Sequence, residues 1–161
     1  MRTFIVPALL WFSAIGCGLM AGVYFAFSTF IMTSLGRIDQ ASGIAAMQAI
    51  NVDILRCVFL PLFLLTTLTS AALIVTGALD GRAPGAAAMI AGGLLYVTGM
   101  FVVTMMFNVP LNDTLMTIGG HGPEASAFWT RYLHEWTAWN HVRTVASTLA
   151  TGLFIYALTV R

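Results

Sequence analysis

Residues 3–36 read TFIVPALLWFSAIGCGLMAGVYFAFSTFIMTSLG, a run without one charged side chain. A helix rises about 1.5 Å per residue and bilayer hydrocarbon is about 30 Å thick, so about 20 apolar residues cross it. This run is long enough on its own. It is also far longer than the apolar region of a cleaved signal peptide, about 7 to 15 residues, so it reads as a retained membrane helix.

Working outward, residues 57–79, 83–112 and 144–160 are equally free of charge. The pattern predicts four spanning helices near 4–32, 54–79, 86–107 and 142–160 in one domain covering 1–161, an all-α integral membrane four-helix bundle. Composition agrees. Of the whole chain 59% is hydrophobic and 8% charged, against about 25% charged in an ordinary soluble protein. With no Lys, seven Arg and a net charge of +1, there is no basic face for nucleic acid.

The connections are unequal. Asp80–Gly85 forms a tight turn, whereas the first and third loops carry nearly all the other polar residues. Four spans place those two loops on one side of the membrane, so the polar chemistry gathers at one end. By density of Arg, the positive-inside rule favours termini in the cytoplasm. The first loop holds a short amphipathic segment, Ala41–Asn51, with Asp39 as its cap. Cys17 and Cys57 fall about 15 Å apart along the bundle axis, too far to pair, and read as buried thiols.

In lipid, small and hydrogen-bonding residues mark the faces that pack or line a cavity. Ser13, Cys17, Met20, Tyr24 and Ser28 share one side of the first helix, and Gly93, Val97, Thr104 and Asn108 share one side of the third. On the fourth, His141, Thr144, Thr148 and Gly152 form the corresponding stripe, with Arg143 on the opposite side of an ideal wheel. Gly18 and Gly22 make a GxxxG, a packing motif that also permits a homo-oligomer.

Ionisable and amide groups in hydrocarbon cost about 3 kcal/mol each and are functional candidates by default. Asn51, Asp53 and Arg56 enter the second helix, Asn108, Asn112 and Asp113 leave the third, and Asn140, His141 and Arg143 open the fourth. A plainer reading places them at headgroup depth, with Arg143 snorkelling toward phosphate. Trp129, Tyr132, Trp136 and Trp139 recur at three and four residues on one face of a third-loop helix. Such a face is either an interfacial belt or a lid for a flat ligand. His134 and His141 are seven apart, and Ala138 stands where HExxH needs its second His. A haem or metal held by His134 and His141 is the minor alternative to a site without cofactor.

The strings Phe107-Asn108-Val109-Pro110-Leu111-Asn112-Asp113 and Trp139-Asn140-His141-Val142-Arg143, with Trp129, Tyr132 and Trp136 before the second, carry a resemblance. Tyr24-Phe25-Ala26-Phe27-Ser28 and Met47-Gln48-Ala49-Ile50-Asn51 extend it. The chain resembles the anthrone oxygenase-like family of small four-helix membrane proteins. That resemblance implies oxidation of a hydrophobic phenolic or polycyclic substrate, such as an anthrone, by dioxygen without a cofactor, both reactants being drawn from the bilayer. It implies His141 as the base, Asn108, Asn112 or Asn140 as donors to a phenolate-like oxygen, and Arg143 or Arg56 as the positive charge. Trp136 and Trp139 are expected to stack on the substrate, with Tyr24, Tyr132 and Asn51 completing its pocket. The rival expectation is a non-catalytic protein that binds a lipid, a quinone or a protein partner in the same pocket.

Overall fold

The computed structural model describes residues 2–161. Helix α1 runs Arg2–Ala26, widens into a π-helical turn at Phe27–Ile31 and ends with Met32–Leu35. Helix α2 is Gln40–Arg56 and α3 is Phe59–Leu79. Helix α4 is built from Ala86–Leu94, two π-helical stretches at Leu95–Val102 and Thr104–Asn108, and Val109–Thr117. Helix α5 is one unbroken rod, Pro123–Thr159. Phe4–Leu35, α3, α4 and α5 are each long and apolar enough to cross a membrane, and the protein is a four-helix membrane bundle. Its outer surface fits that solvent, with Trp11, Ile15, Leu19, Leu65, Leu68, Leu149 and Ile155 all exposed.

Boundaries depart from the sequence reading in both the second and third spans, the third continuing past 107 to Thr117. The second span begins at Phe59 rather than near residue 54, because Pro61 cannot tolerate the carbonyl four residues before it in a helix. That carbonyl belongs to Cys57, which turns out of the helix to φ −108°, ψ −178°. The amphipathic segment of the first loop therefore extends to Arg56, with the Asp39 carboxylate accepting from the Ser42 amide at 3.0 Å as its cap. The Ser42 hydroxyl first and its amide second hold the exposed Asp39 carboxyl below its ordinary range. The two cysteines are unpaired, as expected from their separation, but only Cys17 is buried and Cys57 is exposed at the break.

The larger departure is in the third loop. The expected interfacial aromatic helix and the fourth span are one helix of 37 residues, about 55 Å long at 1.5 Å per residue. Its surplus length, with the ends of α1 and α4 and all of α2, builds a head beyond the hydrocarbon. Trp129, Tyr132 and Trp136 are buried there with Met32, Ile44, Met47 and Leu115, so the aromatic face is a packing core rather than a belt in the headgroups. Gly43 makes the close approach possible: a Cβ there would stand 2.7 Å from the Leu35 carbonyl and 3.0 Å from Trp129. Gln48 Nε2 donates to the Leu115 and Ile118 carbonyls at 2.8 and 3.1 Å, satisfying the orphan end of α4 from α2.

Within the bilayer a second core joins Leu10, Cys17, Met20, Tyr24, Leu73, Met89, Tyr96, Met100 and Phe154. Helices meet there through small residues, Gly16 against Thr66, Gly93 against Ile74 and the Ser70 carbonyl, and Gly99 against Ala146.

Candidate functional site

Between the two cores, where α2 hands over to α3, lies a cavity of about 140 Å³. Its walls come from Tyr24 on α1, Met47 and Asn51 on α2, Phe59 and Phe63 on α3, Thr104 and Asn112 on α4, and Trp136 and Arg143 on α5. The lining is predominantly apolar. Its rim reaches the surface at Val23, Leu55 and Met105, all exposed.

The inward stripe of α5 decides what stands in that wall. Trp129, Tyr132, Trp136, Asn140, Arg143, Ser147, Ala150, Phe154 and Ala157 are all buried and succeed one another at three- and four-residue spacing, one continuous face of a helix. Arg143 is therefore turned into the bundle and only 4% exposed. Its guanidinium carbon sits 4.4 Å from the Tyr24 ring centroid and 4.9 Å from that of Trp136, a cation over each of two aromatic rings.

Its edge is only partly occupied. Nη2 donates to Asn140 Oδ1 at 2.7 Å and Nη1 to Thr104 Oγ1 at 3.4 Å, while Nε is buried with no acceptor. Among the described residues the one ion pair is the exposed Arg131–Glu135 pair, so no carboxylate offsets the charge of Arg143.

Each partner is itself fixed. Asn140 Nδ2 donates to the Tyr24 carbonyl and to Ser28 Oγ, both at 2.7 Å, at the π-helical turn of α1. Asn112 Oδ1 accepts from Tyr132 Oη at 2.8 Å and Trp136 Nε1 at 2.9 Å, which locks the aromatic wall. Asn51 adds a second free donor, since its buried Nδ2 has no partner. The chamber is thus apolar, with one buried cation that no carboxylate neutralises in its wall.

The anthrone oxygenase family model matches residues 55–153. The chain belongs to the anthrone oxygenase family. No curated protein and no solved structure matches it.

In this family member the FNVPLND and WNHVR strings lie inside the matched region, and YFAFS and MQAIN precede it. The residues anticipated for an anthrone oxygenase separate into two groups. Tyr24, Asn51, Asn112, Trp136 and Arg143 line the cavity, and Tyr132 and Asn140 hold the liners in place. Asn108 is fully buried, its Nδ2 donating to the Trp136 carbonyl at 3.2 Å, and supports the wall from behind.

The others lie elsewhere. His141 is exposed, as are Thr148 and Gly152 of the stripe it was expected to head. The inward stripe instead continues the phase of the tryptophans, and that phase is hidden when the span is taken to begin at 142. Arg143 correspondingly faces in rather than out, and its burial removes the snorkelling geometry. Arg56 is exposed, and Trp139 stacks on Phe107 at 3.7 Å between centroids, outside the cavity. His134 is exposed too, and among the described residues no three His, Cys, Asp or Glu side chains come together as a metal site.

Sequence reasoning missed Phe59 and Phe63, which stack at 6.0 Å on the first turn of α3. The signal was an aromatic pair at i, i+4 immediately after the charged end of α2.

Proposed function

We propose that the protein is a membrane-embedded oxygenase that converts a hydrophobic phenolic or anthrone-like substrate with dioxygen, and that Arg143 is the group on which catalysis depends. The observation that carries this is the buried guanidinium, over the rings of Tyr24 and Trp136 and with no carboxylate partner, at the wall of an apolar cavity. An anthrone carries an acidic methylene between two aryl rings. Losing that proton spreads negative charge onto the ring oxygen, and a positive charge fixed in a dry site favours the anion far more than water does.

The anion is electron-rich enough to pass an electron to dioxygen directly, so in this reading the substrate supplies the reducing electrons. The overall change is one methylene and one O2 giving one carbonyl and one water. Asn51 Nδ2 and Arg143 Nε, the two donors left free, supply the hydrogen bonds to the oxygen that gains charge. No imidazole or carboxylate lines the cavity, so the methylene proton is given up to water, eased by the shift in substrate acidity that Arg143 imposes, and a proton is taken back when the peroxide formed with O2 loses water to leave the carbonyl. Trp136 and Tyr24 hold the ring plane.

The test is oxygen uptake by the purified protein with emodin anthrone, set against spontaneous autoxidation and against Arg143→Gln. Uptake well above the blank that is lost in the variant supports the reading. Uptake equal to the blank, or unchanged in Arg143→Gln, refutes it.

A further inference from the structure

Two methionines adjacent in sequence stand in different places. Met105 and Met106 follow one another in the π-helical stretch Thr104–Asn108 of α4, and both are well exposed, at 49% and 63%. Met105 is in the wall of the cavity. Met106 is not: it lines a separate groove with Phe107, Trp139 and the Arg131–Glu135 pair. A third, Met116, is 46% exposed and also lies outside the cavity. Exposure alone therefore ranks Met106 ahead of Met105 as a target for oxidation.

The cavity supplies a reason for the opposite order. Met105 adjoins Thr104, whose hydroxyl receives Arg143 Nη1 at 3.4 Å, so Met105 and the cation belong to one stretch of wall. The other methionine of that wall, Met47, is 1% exposed and packed into the head core. Neither cysteine lines the cavity. Met105 is thus the exposed sulfur in a chamber whose other walls are aromatic, aliphatic or hydrogen-bonding. A thioether is soft and polarisable, and oxidation turns it into a polar sulfoxide.

We infer that Met105 is an oxygen-acceptor site: a hydrophobic organic hydroperoxide held in the cavity passes its terminal oxygen to the Met105 thioether ahead of the comparably exposed methionines outside. The sulfur lone pair attacks the terminal peroxide oxygen, the O–O bond breaks as the S–O bond forms, and the peroxide proton passes to the departing oxygen to give an alcohol. Sulfur is oxidised by two electrons and the peroxide reduced by two. In turnover the donor is the peroxide that otherwise loses water to the carbonyl, so that source rests on the oxygenase reading; selectivity toward an added hydroperoxide does not. Each event leaves a polar oxygen in an apolar wall and removes a working site.

The experiment oxidises the full chain in detergent in three ways and reads sulfoxide at Met105, Met106 and Met116 by tandem mass spectrometry. The oxidants are turnover of emodin anthrone with oxygen uptake recorded, cumene hydroperoxide without anthrone, and hydrogen peroxide. In the first two, sulfoxide at Met105 should exceed that at Met106 and Met116 by about fivefold or more; with hydrogen peroxide it should follow exposure, Met106 leading. Met105→Leu, a swap of similar volume, should sustain about twice as many turnovers or more before uptake fails.

Equal oxidation of Met105 and Met106 by cumene hydroperoxide overturns the site. A Met105 preference of the same size with hydrogen peroxide also overturns it, since the preference would then belong to the residue and not to what the cavity holds. Oxygen uptake above the blank without a Met105 preference overturns the inference and leaves the oxygenase reading standing. No uptake above the blank, with the preference under cumene hydroperoxide intact, removes the oxygenase reading and leaves the acceptor site. Equal lifetimes of Met105→Leu and wild type overturn the loss of working sites.

Discussion

Arg143 Nη2 donates to Asn140 Oδ1 at 2.7 Å, one turn back on the same helix, and Asn140 spends its own amide on the Tyr24 carbonyl and Ser28 of α1. The cation is thus aimed by a neutral residue tied to a neighbouring helix. Its charge remains available to whatever enters the cavity. Arg143→Gln should lower turnover by about 10² to 10³, the usual cost of one preorganised oxyanion donor. Arg143→Lys should recover little of it, because an ammonium offers neither the planar stack nor the in-plane edge. Steady-state oxygen uptake at saturating substrate measures both, and a lysine variant with wild-type rate would contradict the role of the fork.

His141→Ala makes the opposite case. The imidazole is exposed on the outer side of α5, and substitutions at such positions change stability by about 0.5 kcal/mol or less. Turnover should stay within about twofold of wild type on that scale. A large drop in oxygen uptake with normal yield in detergent would return His141 to the mechanism.

Asn112 holds the aromatic wall by accepting from Tyr132 and Trp136 together. Asn112→Leu leaves both donors without their acceptor, at about 1 to 3 kcal/mol for each that stays buried. Adding Tyr132→Phe should restore part of that loss. Thermal unfolding of the two single variants and the double variant in detergent gives the coupling; strict additivity would mean the shared acceptor is not what binds the pair.

Gly16→Ala should destabilise by about 1 to 3 kcal/mol, the range for overpacking a filled core, because its Cβ would overlap Thr66 Oγ1. Thr66 Oγ1 is buried and unpartnered, so Thr66→Ala alone should cost little and should rescue the alanine at 16. Failure of that rescue, read by the same unfolding measurement, would place the clash elsewhere.

At the head, Asp39 ionises below its ordinary range because the Ser42 hydroxyl and then the Ser42 amide bind its carboxylate. The folded value lies below the unfolded one, so the cap contributes fully above the unfolded value and is lost as pH falls through the folded one. Protection of the Ser42 amide, measured against its intrinsic exchange rate at each pH, should therefore fall on acidification below pH about 4, the ordinary carboxyl value. Asp39→Ala should show low protection at Ser42 at every pH.

The four spans were legible because absence of charge over the required length is a one-dimensional property, and the inward faces of α1 and α4 were legible from small and polar residues at helical spacing. The wall of the site was harder. Which side of α5 faces in depends on its continuity from Pro123 to Thr159; cut at 142, the run His141, Thr144, Thr148, Gly152 looks as suited to packing as Asn140, Arg143, Ser147, Ala150. Joined to Trp129, Tyr132 and Trp136, only the second keeps phase. The contribution of α3 depended on Pro61 expelling Cys57, which brings Phe59 and Phe63 to the mouth rather than deeper in the span.

Position in the chain gives α5 a further meaning. A polypeptide emerges from its N-terminus, so Tyr24 and Thr104, which receive Arg143, belong to helices made before it. An arginine in hydrocarbon without such a receptor costs about 2.5 to 3.5 kcal/mol even on the lenient insertion scale. Helix α5 therefore has its receptor for Arg143 already synthesised when it emerges, and insertion of α5 without those partners should be the less favourable by about that cost.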